Sequence, residues 1–353
     1  MRAVASALAS SLALVAAVGA LGCSSWINQR AASTTYDILQ RSQQAARRLP
    51  DVQLAREAMP GGIVQLEAFA LAYPDHAGFR QLRAESLCQY AVGFVFDDWE
   101  DASLTGRTDD AARLAARLGP LLAGCVDANL TLLPPAWRDA RVRGRDAWSA
   151  LVAKATRAEV PAMLWIASSD AVLLALDPLR NLTKLGPLVE TLTRCTQLAP
   201  AFHDADGEIL LGTLHAGRSR FLRGDDGTRQ FAAARRSLGA GALLVDVMYA
   251  RGVAVARQDR GLFVTTLERV LAADVTRWPD RRLANELARV KARRYLAAVD
   301  KLIAAPAATA PALLRRGSAG DEHRAARVAH DLLGHRAEQR AQKAGPAVAA
   351  GRH

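Results

Sequence analysis

The apolar positions of this chain recur with helical spacing. Between Gln81 and Asp98, Leu82, Leu87, Tyr90, Ala91, Phe94 and Val95 fall mainly on one face of a 3.6-residue period. Asp109 to Leu132 repeats the pattern with Leu114, Leu118, Leu121, Leu122, Cys125 and Val126, and Gly261 to Asp274 with Phe263, Leu267, Val270 and Leu271. No alternating, strand-like run of convincing length appears. Prolines punctuate the helices at Pro60-Gly61-Gly62, Tyr73-Pro74, Pro134-Pro135, Asp177-Pro178, Ala199-Pro200 and Trp278-Pro279. Proline lacks an N–H and disfavours helix in the residue before it, so these sites are expected to be helix boundaries. Gly119-Pro120 is expected to break the second stretch in the same way.

Several boundaries share a form. Leu66 to Pro74 resembles Leu192 to Pro200, each an apolar helix end closed by proline, and Val270 to Pro279 is a looser copy. The second helix of a tetratricopeptide repeat ends this way. The expected fold is therefore all-α, an irregular tetratricopeptide-like array of helical pairs (an α-solenoid) with a concave surface. An irregular helical domain with unrelated prolines is the alternative. From Ala305 to His353 the chain turns Ala/Pro-rich and then Ala/Arg/Gly-rich, and is expected to be largely disordered.

The N-terminus adds an address. Met1-Arg2 precedes an apolar run of roughly 18 residues, Ala3 to Ala20, then Leu21-Gly22-Cys23-Ser24. A small residue before a cysteine at the end of an export signal is the processing site of a bacterial lipoprotein. Residues 1–22 then form the signal peptide, Cys23 carries the acyl chains, and residues 23–48 form a tether and first helix ahead of a helical domain at 49–304. An ordinary signal peptide cleaved nearby and an uncleaved membrane helix are the other readings. Ser24 after the cysteine favours the outer membrane and a periplasm-facing body. No later apolar run is long enough to span a bilayer.

The 353 residues are half hydrophobic, enough for one large core or two smaller ones, and carry a net charge of +11. The charge comes mostly from arginines scattered over helical faces. It reads as a solvated surface, or as a contribution to contact with an anionic membrane, and no nucleic-acid partner is expected. Besides Cys23 there are Cys88, Cys125 and Cys195, whose spacings match no metal or redox motif. They read as small buried hydrophobes, with one disulfide allowed in an oxidising compartment but no pairing indicated.

Searches for catalytic chemistry return little. Asp204-Ala205-Asp206-Gly207 lacks the spacing of a calcium loop and reads as a turn between helices. Gly224-Asp225-Asp226-Gly227 is a polar turn. Gly239-Ala240-Gly241 is no dinucleotide fingerprint. No zinc-helix histidine pair and no nucleophile elbow is present. No metal, cofactor or enzymatic activity is expected. The aromatics Tyr90, Phe94, Trp148 and Trp165 have two readings, packing in the core or lining a ligand cavity.

In this order and spacing the residues resemble the T-component (TatT) family of lipoproteins associated with tripartite ATP-independent (TRAP) transporters. The resemblance runs through Arg56-Glu57-Ala58-Met59-Pro60, Leu66 to Phe69 and Tyr90 to Val95. It continues through Leu164-Trp165, Leu211 to Leu214, Phe231 to Ala234, Tyr249-Ala250 and Arg282 to Ala288. Leu164 departs from the family's aromatic pair, and Asp170 stands where the family commonly has tryptophan. The resemblance implies an all-helical fold with cryptic tetratricopeptide-like repeats, a hydrophobic cleft, and self-association as trimers. It also implies partnership with the periplasmic solute-binding P-component, with transfer of apolar or organic-acid ligands. A scaffold lipoprotein making protein contacts without ligand transfer is the alternative.

Overall fold

The computed structural model describes residues 29–220 and 224–304, and every regular element among them is helical. Cys23, the signal segment and the Ala305–His353 tail lie outside the described residues.

Helix α1 covers residues 29–47. It is followed by α2 (Val52–Ala72), α3 (Ala77–Tyr90), α4 (Phe96–Thr105) and α5 (Thr108–Leu130). Next come α6 (Pro135–Arg143), α7 (Arg145–Lys154), α8 (Val160–Leu176), the single turn α9 (Pro178–Asn181) and α10 (Leu185–Leu198). The C-terminal part holds α11 (Phe202–Ser219), α12 (Thr228–Leu238), α13 (Leu243–Tyr249), α14 (Val255–Arg257), α15 (Arg260–Ala272), α16 (Arg282–Ala297) and α17 (Val299–Leu302). Neighbours in sequence pack in pairs: α2 on α3, α4 on α5, α6 on α7, α11 on α12 and α15 on α16.

Most of the expected proline boundaries are helix ends. Tyr73, Asp177 and Ala199 are C-caps, each followed directly by proline. Two expected breaks do not occur: Pro60 lies inside α2 and Pro120 inside α5. Each loses one backbone bond, but apolar residues on both sides are buried. Ala55 and Leu66 flank Pro60, and Leu118 and Leu122 flank Pro120, all buried. Burial of both halves on one line outweighs the roughly 3 kcal/mol that an interior proline costs.

The N-terminal core is built around α8, which is buried on nearly every side from Ala162 to Asp170, with Trp137, Trp148, Val152, Leu188 and Leu192 packed about it. A second core joins α13, α15 and α16 through Phe263, Leu267, Val270 and Tyr295. Phe231 on α12 fills a third, against α11 and α13. Helix α1 docks on α3: the Tyr36 ring lies edge-on to Phe79 at 5.9 Å and directly over Gly78, where a Cβ would collide with it. Phe79 in turn stacks on Phe69 of α2 at 5.3 Å.

Cys88 and Cys125 form a disulfide between α3 and α5, and Cys195 is a free, buried thiol. The disulfide rests against Trp165 of α8. The pairing that the sequence left open is thus decided by which helices α8 brings together.

Candidate functional site

The first and last parts of the helical body meet in a buried charge cluster. Between α3 and α4 the helix passes through one π-turn, Ala91–Val95, without breaking. The wider turn shifts the helical phase of α4, and Asp97 becomes fully buried against α16. Arg294 of α16 donates two bonds to the Asp97 carboxylate, at 2.8 and 2.9 Å, and Lys291 Nζ lies 2.5 Å from it. Glu100, one turn along, accepts from the Tyr295 hydroxyl at 2.6 Å and lies 3.4 Å from Lys291. Arg294 Nε also pairs with Asp101 at 2.9 Å, and Arg56 of α2 pairs with Asp98.

A second π-turn, Ala250–Ala254, connects α13 to α14 and carries Arg251 to within 3.4 Å of Glu100. The two π-turns share a sequence. Tyr90-Ala91-Val92-Gly93 and Tyr249-Ala250-Arg251-Gly252 each place tyrosine just before the turn and glycine at its centre. Within the interface four carboxylates (Asp97, Asp98, Glu100, Asp101) balance four cations (Arg56, Arg251, Lys291, Arg294), and at its exposed rim Asp101 also pairs with Arg107 at 2.7 Å.

Its electrostatics follow from that balance. Burial alone pushes the Asp97 carboxyl up, but Lys291 and Arg294 reverse this and hold it at about 2. Glu100 is shifted the same way: burial raises it, and Lys291, Arg251 and the Tyr295 hydroxyl lower it further. Burial pushes Lys291 down, but Tyr295, Glu100 and Asp97 raise it beyond its ordinary range, so it stays charged. The cluster is an ionised clasp at neutral pH. Removing Lys291 or Arg294 strands part of the buried Asp97 charge, at a cost of about 3–5 kcal/mol.

The aromatics singled out in the sequence fall in three places. Phe94 sits in the first π-turn, buried, with the Arg56 guanidinium 5.5 Å above its ring. Tyr90 is next to it, 6.5 Å between ring centroids, half-buried, with its hydroxyl accepting from Arg117 at 2.7 Å. These two adjoin the clasp through Arg56, which also lies 3.6 Å from Asp97. Trp148 is elsewhere, in the N-terminal core. It packs edge-on to Trp137 at 5.1 Å and donates to Thr191 at 2.9 Å. Trp165 covers the disulfide and meets the His203 ring at 4.8 Å. Asp170 is buried and salt-bridged, with two 2.7 Å bonds from Arg141 and one of 3.1 Å from Lys184. Arg141 also lies 5.5 Å over the Trp148 ring, so the Asp170 position and Trp148 share one partner.

A further polar centre escaped the sequence reading. His203, Asp204 and Ala205 all adopt left-handed backbone at the start of α11, with φ of 50°, 54° and 59°. Such conformations cost of order 1 kcal/mol or more each in non-glycine residues and persist only where the surroundings impose them. Here His203 Nδ1 lies 2.6 Å from Asp206 and Nε2 3.6 Å from Glu85 of α3. Asp204 pairs with Arg281 at 3.4 Å and with Arg47 of α1 at 4.0 Å. Burial pushes the imidazole down, but Asp206 and Glu85 raise it to about 10, so His203 is an imidazolium. The Asp204–Gly207 turn anticipated from sequence is therefore a hub tying α1, α3, α8 and the segment before α16 together. Only its polar composition was readable in the sequence.

Among the described residues no His, Cys, Asp and Glu cluster is arranged to hold a metal ion, and no helix is long and apolar enough to cross a membrane. No curated protein matches the chain. The family model described as TRAP transporter T-component matches residues 49–303, which takes in α2 through α17 and therefore the clasp, both π-turns and the His203 hub. With nearly the whole helical body matched, the chain belongs to the TRAP transporter T-component family.

Proposed function

We propose that the protein is a periplasm-facing lipoprotein, acylated at Cys23 and held at the outer membrane. It binds the solute-binding P-component of a tripartite ATP-independent transport system and a hydrophobic ligand. The observation that carries this reading is the family match over residues 49–303, since the family is a transporter accessory component and not an enzyme family. Two features support it. The buried Cys88–Cys125 disulfide suits an oxidising compartment such as the periplasm. The pairwise packing of successive helices suits a tetratricopeptide-like array with a surface for a protein partner.

Of the four proposed cavity residues, Tyr90 and Phe94 are the better placed to touch a ligand, because they sit at a π-turn, a device frequent at functional sites. Trp148 and Trp165 serve the core and the disulfide. That division favours, as a second reading, a scaffold that binds the P-component without carrying a ligand. Self-association belongs to the proposal, the trimer being the stoichiometry that the resemblance implies.

Native mass spectrometry of the mature protein with a solute-binding P-component from the same cell tests the reading. A complex, together with a co-purifying apolar molecule lost in a Phe94→Asp variant, is the expected result. A complex without any bound molecule leaves the scaffold reading. Absence of a complex at micromolar protein overturns the role.

A further inference from the structure

Two adjacent connections carry the most exposed large apolar side chains among the described residues. Leu179, in the single turn α9, is 90% exposed, and Val142, near the end of α6, is 85% exposed. Leu182, in the 3-10 turn Leu182–Lys184 that follows α9, is 59% exposed. Both connections are tied to one buried carboxylate. Asp170 accepts from Arg141, the residue before Val142, at 2.7 Å, and from Lys184, two residues after Leu182, at 3.1 Å. Just past the α6–α7 turn, the Arg145 guanidinium lies over Gly186 and pairs with Glu190 at 2.6 Å, which laces α7 to α10 beside the same spot.

Charge surrounds these apolar tips unevenly. On α6, Arg138, Arg141 and Val142 are spaced i, i+3 and i+4 and share the flank that Arg141 directs at α8. Asp139 and Arg143 fall on the other flank, and Asp146 opens α7 beyond the turn. The side shared with α9 therefore has four cations, Arg138, Arg141, Arg180 and Lys184, against two carboxylates, Asp170 and Asp177. Asp170 is buried, and Asp177 is engaged as the cap of α9, accepting from the Arg180 backbone N–H at 3.0 Å. Arg138 and Arg180 are exposed and form no ion pair among the described residues.

The directions of the helices fix where this tip points. Helix α1 runs alongside α3 in the same sense, with Tyr36 over Gly78 and Gln43 donating to Ser86 at 3.1 Å. Helix α5 runs back, with Cys125 bonded to Cys88 and Arg117 donating to Tyr90 at 2.7 Å. Helix α8 reverses again, with Ser169 donating to the Cys125 sulfur at 3.1 Å and Val172 packed with Leu118 and Leu122. The end of α8, and α9 with it, therefore lies at the opposite end of the body from the start of α1. Cys23 stands six residues before Gln29, a reach of at most about 20 Å. An acyl anchor on Cys23 holds the α1 end at the membrane and turns the tip away from it.

We infer that the tip formed by Val142, Leu179 and Leu182 is the docking surface for an acidic face of the solute-binding P-component, with carboxylates set around an aliphatic contact. The inference rests on the proposed partnership and adds the place where it is made. Aliphatic tips exclude water at the centre of such a contact, while the surrounding cations select an acidic rim and steer the encounter. Three aliphatic side chains make a small contact of the transient class, which suits a carrier that binds and leaves. Apolar tips ringed by cations also suit an anionic lipid layer, but this tip points away from the leaflet that would hold Cys23.

Surface plasmon resonance between the mature chain and a P-component from the same cell, at low and high salt, tests the inference. Leu179→Asp and Val142→Gln should each weaken the complex about tenfold. Arg180→Glu should slow association at low salt and flatten the salt dependence. All three positions are exposed, so circular dichroism and Tm should match wild type. Leu71→Asp, at an exposed apolar position at the anchored end of α2, should leave the affinity unchanged. A wild-type complex that neither Leu179→Asp nor Val142→Gln weakens overturns the inference and leaves the partnership standing. Absence of any wild-type complex overturns both. In a parallel arm the Cys23→Ser chain, which carries no lipid, is floated with phosphatidylglycerol vesicles and should stay unbound. Vesicle binding that Leu179→Asp removes assigns the tip to lipid and overturns the inference.

Discussion

Breaking the Cys88–Cys125 bond should destabilise the protein by a calculable amount. The bond closes a loop with a sequence separation of 37, and both sulfurs are fully buried beneath Trp165. Chain-entropy reasoning for a loop of that length puts the stabilisation at about 4 kcal/mol at 25 °C. The unfolding entropy of globular proteins, about 2.1 cal/mol/K per residue, comes to roughly 0.6 kcal/mol/K over the described residues. The expected fall in Tm is therefore about 7 °C. The Cys88→Ala/Cys125→Ala double variant should fall by at least as much, because small cavities add to the lost constraint. The assay is thermal denaturation by circular dichroism, with and without a phosphine reductant present through the melt. Alkylation of the unfolded protein before reduction counts free thiols. In the acylated mature protein only Cys195 should be labelled, a thiol that burial pushes up to about 12 and that reacts only after unfolding. Coincident melts with and without reductant, with complete thiol exposure verified, would refute the reasoning. Labelling of all three cysteines in protein isolated from the periplasm would refute the pairing and its support for that compartment.

Four further outcomes are expected. Arg294→Met leaves Asp97 buried with Lys291 and the more distant Arg56 and should cost about 3–5 kcal/mol in urea unfolding. Asp97 is held at about 2 against its ordinary 3.8, so its contribution is present above pH 3.8 and is lost as pH falls towards 2; Asp97→Asn should remove that acid dependence, which is worth about 2 kcal/mol. His203 is raised to about 10 against 6.5, so its stabilisation is complete below pH 6.5 and is lost as pH rises through 10. His203→Gln should therefore be less stable than wild type at pH 6 and approach it at pH 10, and parallel stability curves across that range would contradict the hub. Metabolic labelling with palmitate should mark wild type and not Cys23→Ala, and equal labelling would sink the proposed anchor.

Much of the fold was legible because helical packing leaves a local trace. The period of Leu114, Leu118, Leu121, Leu122 and Cys125 announces α5, and Pro74, Pro178 and Pro200 follow directly on the C-caps of α2, α8 and α10. Pro60 and Pro120 misled, since a proline within a helix looks locally the same as one at its end. The difference is whether the chain on both flanks is buried in the fold. The candidate site was less legible. Tyr90 and Phe94 do stand beside the clasp, but Trp148 and Trp165 pack elsewhere, because an aromatic at helical spacing reports burial and not what lies opposite it. The two Tyr-Ala-x-Gly turns were visible as residues, yet a π-turn has no established local code that would have shown them to be equivalent.

The sequence by itself determined the all-helical class, most helix ends and family membership, since these follow from local propensity, apolar periodicity and the order of short motifs. Only the tertiary structure decided which cysteines pair, that α16 returns to α4 across nearly 200 residues to lock Asp97 with Arg294, and that His203 is charged inside the protein. Each of these depends on groups far apart in the chain being brought within a few ångströms. Coulomb and desolvation energies at that range depend on through-space distance and burial, which no local pattern of residues records.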